Sequence, residues 1–138
     1  MQPTRHILVT SALPYANGSP HLGHLLEAVQ TDIWVRFQKM RGHRCTYVCA
    51  TDAHGTPIML RARKDGIEPE VLIESVREEF RHAYAEFHVH MDNFHTTHSD
   101  ENKALVEGIF ETLEHSGHIE ARTIRQAYDV REQMFLPD

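Results

Sequence analysis

The chain has 138 residues, 41 % of them hydrophobic and 25 % charged, with a formal net charge of −6. That length admits one domain with a core of its own, and the composition is that of a globular chain, not a disordered or fibrous one. An acidic balance without a dominant basic stripe excludes nucleic-acid binding by charge alone, and no apolar run reaches the roughly 20 residues of a membrane span, so a cytoplasmic protein is expected.

A strand is predicted from His6 to Ser11 or Ala12, carried by Ile7, Leu8 and Val9. The segment Pro14-Tyr15-Ala16-Asn17-Gly18-Ser19-Pro20 is built of turn formers. It delivers His21 and His24 to the first turn of a helix predicted over Leu22 to Met40. There Leu22, Leu25, Leu26, Val29, Ile33, Phe37 and Met40 recur at steps of three and four and form one face. Gly42 fits its C-cap. Cys45 to Ala50 is a short continuous apolar run of the kind found in buried parallel sheets. Strand, helix and strand in this order make a βαβ unit with a right-handed crossover. Cys45 and Cys49 are too far apart along one strand for a disulfide and read as buried free thiols.

Thr51-Asp52-Ala53-His54-Gly55 is a polar loop at the carboxyl end of this second strand. Thr56 fits an N-cap and Pro57 a first helical position, with the helix ending near Gly66. Pro69 opens a further helix in which Leu72, Val76, Phe80, Ala83 and Phe87 keep helical spacing. A third strand is predicted over Asn93 to Thr97. Ser99 then caps a helix with Asp100 and Glu101 in its first turn, Leu105, Ile109 and Leu113 on its inner face, and Gly117 at its end. Residues 118–136 alternate weakly and read as one or two extended segments. The fold class is α/β: a Rossmann-like parallel sheet flanked by helices, with residues 1–138 forming a single partial domain.

Helix N-termini carry unpaired N–H groups and a partial positive charge, so they seat phosphate. Two imidazoles three residues apart, with Gly23 between them, can grip a phosphate chain there while the backbone comes close. Ligands of open α/β sheets collect at the carboxyl ends of the strands, which turns loops 12–24 and 51–55 toward one cleft. Blander roles stand beside these. His21 and His24 suit a helix start or an i, i+3 metal pair, Asp52 a strand terminus, and Asp52 with His54 half a metal site. Tyr15 alone suits packing, Trp34 is structural, and His95 and His98 flank a strand end from which the cleft is in reach.

Pro14-Tyr15-Ala16-Asn17-Gly18 leading to His21-Leu22-Gly23-His24 resembles the nucleotide-binding motif of class I aminoacyl-tRNA synthetases, in the subgroup for methionine, isoleucine, leucine and valine. The stretch Cys49 to Met59 is similar to the bacterial-type methionyl-tRNA synthetases. The likeness runs on through Asn93-Phe94-His95-Thr96-Thr97-His98-Ser99 to Met134-Phe135-Leu136-Pro137-Asp138. It extends over the first half of that family's catalytic domain. The zinc-bearing insertion, the second half of the nucleotide-binding fold, the Lys-Met-Ser-Lys-Ser loop and the anticodon-binding helices have no counterpart in these residues.

The resemblance implies a methionine–tRNA ligase that joins methionine to ATP, with Mg2+, as methionyl-adenylate and then passes the methionyl group to tRNA(Met). It implies that His21 and His24 are catalytic and, with Gly23, bind ATP. It implies that Asp52 receives the α-ammonium group of methionine, and that Ala12, Leu13 and Tyr15 line the amino-acid pocket. Zinc is expected in the full-length family, but no ligand set for it is found in this chain and no metal site is assigned. A non-catalytic half-domain that needs the missing half for activity is the alternative.

Overall fold

The computed structural model describes residues 3–131 and 134–136. Pro137 and Asp138, which close the family-like stretch, lie outside the described residues. The elements run β1 (His6–Thr10), α1 (Leu22–Met40), β2 (Arg44–Thr51), α2 (Thr56–Asp65), α3 (Pro69–Glu86), β3 (Asn93–Thr96), α4 (Asp100–His115), β4 (Tyr128–Asp129) and β5 (Met134–Phe135). The chain divides into two compact units, residues 1–99 and 100–138.

In the first unit β1, β2 and β3 form one parallel sheet in sequential order. Ile7 pairs with Cys45 and Val9 with Tyr47, while Cys49 pairs with Phe94 and Thr51 with Thr96. Side chains alternate along a strand, and β2 alternates between buried Cys45, Tyr47, Cys49 and Thr51 and more accessible neighbours. The expectation of a strand buried on both faces is thereby corrected: one face packs on the core, while Leu8 on the other is 71 % exposed. The core is built from Tyr47, Val35, Ile58, Ala62, Leu72, Val76, Phe80 and Tyr84, with Ile7, Val9 and Phe94 packed against it. Cys45 and Cys49 are buried free thiols.

Helix α1 has the predicted bounds but a different inner face. Its buried residues are Ala28, Asp32, Val35 and Gln38, with Leu25 and Val29 only partly covered. Leu22, Leu26, Ile33, Phe37 and Met40 are exposed. At 3.6 residues per turn the two stripes lie nearly half a turn apart. The covered face carries Asp32 beside Ala28 and Val35, and the Asp32 carboxylate takes the backbone N–H of His90 at 3.0 Å and the guanidinium of Arg36. Arg36 in turn donates to the carbonyl of His88, the one described non-glycine residue with a positive φ, 55°. These polar bonds fasten the covered face of the helix to the segment after α3.

That segment is tied to the sheet at a second point. Asp92 donates its N–H to the Tyr47 carbonyl at 2.8 Å, and its carboxylate accepts the Tyr47 N–H at 2.7 Å. The Tyr47 N–H, aided by nearby Lys39, holds the Asp92 carboxyl below the usual carboxylate range.

Three more expectations are corrected. Gly55, not Thr56, is the N-cap of α2, which places Thr56 and Pro57 inside the first turn. In α3 the buried set is Leu72, Ile73, Val76, Phe80 and Tyr84, while Phe87 is exposed at the helix end, where the chain has already turned toward β3. Helix α4 buries none of its residues, so Leu105, Ile109 and Leu113 are exposed. In the second unit β4 and β5 pair antiparallel, with the rings of Tyr128 and Phe135 5.1 Å apart.

Asp32→Ala, which strands the His90 N–H and the Arg36 charge, is expected to lower stability by about 2 kcal/mol, and Asp32→Asn by less. Urea unfolding followed by circular dichroism reads both, and a midpoint unchanged in Asp32→Ala would remove this account of how the helix is fastened.

Candidate nucleotide and amino-acid site

Strands β1 and β2 are parallel neighbours, so the loops that leave them emerge at one end of the sheet. Beyond the strands the pairing resumes for one step. Asp52 donates its N–H to the Pro14 carbonyl at 2.9 Å, and Ala16 donates its N–H to the Asp52 carbonyl at 2.8 Å. This bridge between Tyr15 and Asp52 brings the two residues together, and Ala16 is fully buried beneath it. Burial first, and then the charge of Asp52, push the Tyr15 phenol above its ordinary pKa.

The stretch before the bridge is held from α1 and β2. Ala12 donates its N–H to a carboxylate oxygen of Glu27 at 2.7 Å, and its carbonyl receives the Cys49 thiol at 3.8 Å. The neighbouring Ser11 hydroxyl lies 2.9 Å from the Tyr47 hydroxyl. Leu13 is left 41 % exposed. The stretch after the bridge is held by Arg61 of α2, which donates to the Asn17 carbonyl.

His21 is the N-cap of α1. Its Nδ1 accepts the N–H of Gly23 at 3.1 Å, and its own N–H is directed at His24 Nδ1 at 3.3 Å, a reciprocal capping box built from two histidines. The two rings stack with centroids 3.7 Å apart, and His24 meets the ring of Phe80 edge-on at 4.9 Å. A ring nitrogen that accepts from an amide carries no proton, so in the neutral rings the proton sits on Nε2. Each histidine therefore has an N–H donor left over at a helix N-terminus, where donors and dipole both favour an anion. Burial, and then the neighbouring His21, hold His24 below its ordinary value near 6.5.

The absence of a side chain matters at two places. A Cβ on Gly23 would stand 3.0 Å from His21 Cε1, so the absence of a side chain makes room for the capping ring. Gly55 has φ 129°, and a Cβ there would meet the Tyr15 hydroxyl at 2.6 Å.

The predicted residues thus form two groups, Tyr15 with Asp52 and His21 with Gly23 and His24. Ala12 and Leu13 lead into the first. His98 does meet the second loop: its Nδ1 is 3.3 Å from His54 Nε2. Among the described residues no group of three or more His, Cys, Asp or Glu is placed to hold a metal ion, so neither the metal readings of His21, His24, Asp52 and His54 nor zinc finds a ligand set there. The places of Glu27, Phe80, Gly55 and Thr97 around the site are not among the sequence expectations. Glu27 lies one turn beyond His24, a spacing that signals proximity on the helix, but the others gain their place through contacts distant in sequence.

A family model described as tRNA synthetases class I (M) matches residues 7–138. The chain belongs to that family. Two solved structures share the fold of this class I synthetase chain, each at TM-score 0.85 and 22 % identity: Mycobacterium tuberculosis methionyl-tRNA synthetase in complex with methionyl-adenylate, and the same enzyme described as bound by Met-AMP. They cover 97 % and 96 % of the synthetase chain, which spans only 26 % of the length of either.

His21→Asn, which keeps a capping side chain but removes the second imidazole, should raise the pKa of His24 toward 6.5. In the parent protein, because the folded value is depressed, the stability tied to His24 is present above pH 6.5 and declines as pH falls through the folded value. An NMR titration of the His24 ring checks the first point, and a downward or absent shift would refute the coupling. Gly55→Ala should cost about 1–3 kcal/mol from its strained φ and the displaced Tyr15; thermal unfolding at the parent's temperature would contradict this.

Proposed function

We propose that this chain forms part of the catalytic site of a cytoplasmic methionine–tRNA ligase, holding the ATP phosphates at the start of α1 and methionine beside the Tyr15–Asp52 bridge. The observation that carries the reading is the joining of a carboxylate and a phenol at one strand-end bridge, in a family-matched chain whose adjacent loop ends in two histidines at a helix N-terminus. The methionyl-adenylate bound in the two structural neighbours supports methionine and ATP as substrates.

In this reading the methionine carboxylate attacks the α-phosphorus of ATP, the bond to the bridging oxygen breaks, and pyrophosphate leaves. Such a displacement is accelerated chiefly by positioning and by donors aimed at the charge that develops. His21 and His24 supply Nε2–H donors to the phosphates, with Gly23 giving His21 its room. Mg2+ enters with ATP and offsets phosphate charge. Asp52 pairs with the α-ammonium group of methionine, which fixes the carboxylate end of the amino acid toward ATP. Tyr15 offers an aromatic face to the thioether, a contact of about 0.3–1.5 kcal/mol, and Ala12, held by Glu27 and Cys49, borders the pocket with Leu13. The methionyl group then passes to the 3′ end of tRNA(Met).

A second reading is a non-catalytic half-domain, one wall of a site whose remainder lies elsewhere in the protein. It is favoured by the exposed Leu8 of β1 and the exposed apolar stripe of α1. Residues 1–138 then act as a single partial domain, the first half of the catalytic fold.

Methionine-dependent ATP–pyrophosphate exchange tests both. In the native, full-length protein, His21→Ala and Asp52→Ala are each expected to reduce exchange by about 10²-fold or more. Full activity in either variant would sink the site assignment. Exchange by residues 1–138 alone would rule out the half-domain reading, and its absence from a folded sample would favour it.

A further inference from the structure

We infer that Thr97 is a positioning residue for methionine, one that holds Asp52 in register from the end of the neighbouring strand. This deepens the reading above and rests on it. Thr97 sits one residue past β3 and bonds to both neighbours of Asp52. Its backbone N–H donates to the Thr51 carbonyl at 3.0 Å, and its hydroxyl oxygen accepts the N–H of Ala53 at 2.9 Å. The residue between them is fastened on its other side by the bonds to Pro14 and Ala16. The backbone of loop 51–53 is therefore clamped from β1's loop and from β3's end.

The two bonds of Thr97 differ in what they demand. The backbone bond to Thr51 continues the β2–β3 ladder and suits any residue with an N–H. The bond to Ala53 needs a side-chain acceptor of one-carbon reach, because the chain has already left the ladder. Only Ser or Thr meets that need without filling the space with a longer side chain. The same hydroxyl stands 3.4 Å from His54 Nδ1, and His54 Nε2 is 3.3 Å from His98 Nδ1, so the loop beyond Asp52 is tied to the β3 end at a second level. Without the hydroxyl, the turn from Thr51 to His54 loses its side-chain tether, and Asp52 keeps its bonds to Pro14 and Ala16 but is held less firmly on the β3 side. Catalytic placement tolerates little such drift.

The role predicts a split between the two substrates. In the native, full-length protein, Thr97→Val keeps the shape and removes the acceptor. It should raise the KM for methionine in ATP–pyrophosphate exchange about three- to tenfold, while the KM for ATP stays within about twofold. Thr97→Ser, which restores the hydroxyl, should return the methionine KM to near the parent value. If Thr97→Val does not fold, Thr97→Ala takes its place against the same serine variant. An unchanged methionine KM, an equal rise in both KM values, or failure of serine to rescue would overturn the assignment of Thr97 alone. A parent protein without methionine-dependent exchange would overturn the functional reading and this inference with it.

Discussion

The resumption of parallel pairing beyond β1 and β2 is the constraint from which the candidate site follows. Two backbone hydrogen bonds, Asp52 to Pro14 and Ala16 to Asp52, join loops that would otherwise leave the sheet independently. Parallel strands put both loops at the same end, but only a direct bond sets Tyr15 against Asp52. The surrounding residues serve that junction: Glu27 and Cys49 hold Ala12 ahead of it, Arg61 holds Asn17 behind it, Thr97 holds Thr51 and Ala53 beside it, and Gly55 clears space for the Tyr15 hydroxyl. Backbone bonds make the junction itself, and side chains of Glu27, Cys49, Arg61 and Thr97 hold the backbone on either side of it.

The start of α1 shows a different economy. A helix N-terminus ordinarily has Ser, Thr, Asp or Asn as its cap; here an imidazole does that work, and a second imidazole answers it. Capping through Nδ1 fixes the tautomer, which leaves Nε2–H as the outward donor. One arrangement therefore both satisfies the helix and prepares the two rings for an anion. The stack with His21 and the contact with Phe80 limit the hydration of His24, which disfavours its protonation. Neutral imidazoles keep their donors without mutual repulsion.

Helix α1 also shows where hydrophobic periodicity misleads. Its most regular apolar stripe, Leu22 through Met40, is largely exposed, while Asp32 and Gln38 are buried. Periodicity detects that a face is apolar but not which partner it meets. Here the covered face carries Ala28 and Val35 in the core, and the Asp32 carboxylate beside them accepts the His90 N–H and pairs with Arg36, contacts that apolar spacing does not report. The same blindness put Leu105, Ile109 and Leu113 of α4 inside. Long-range hydrogen bonds such as Asp32 to His90 leave no pattern in sequence.

Local chemistry made much of the architecture legible in the sequence. Apolar runs, turn residues and helical spacing placed β1, α1, β2, α2, α3, β3 and α4 within a residue or two of their bounds, because strand and helix periods are properties of the chain itself. The family was legible too, from Pro14 to His24 and from Cys49 to Met59, because turn geometry and phosphate chemistry demand specific residue types at fixed spacing. The roles of Thr97, Glu27 and Gly55 were not, nor was the inner face of α1. Thr97 is an unremarkable threonine at a strand end until β3 lies beside β2, and Gly55 is one more loop glycine until Tyr15 comes within reach. The sequence by itself determined the elements, the fold class and the chemistry available to the loops. Only the tertiary structure decided which groups meet, since hydrogen bonds between residues some 40 positions apart exist only once the strands are aligned.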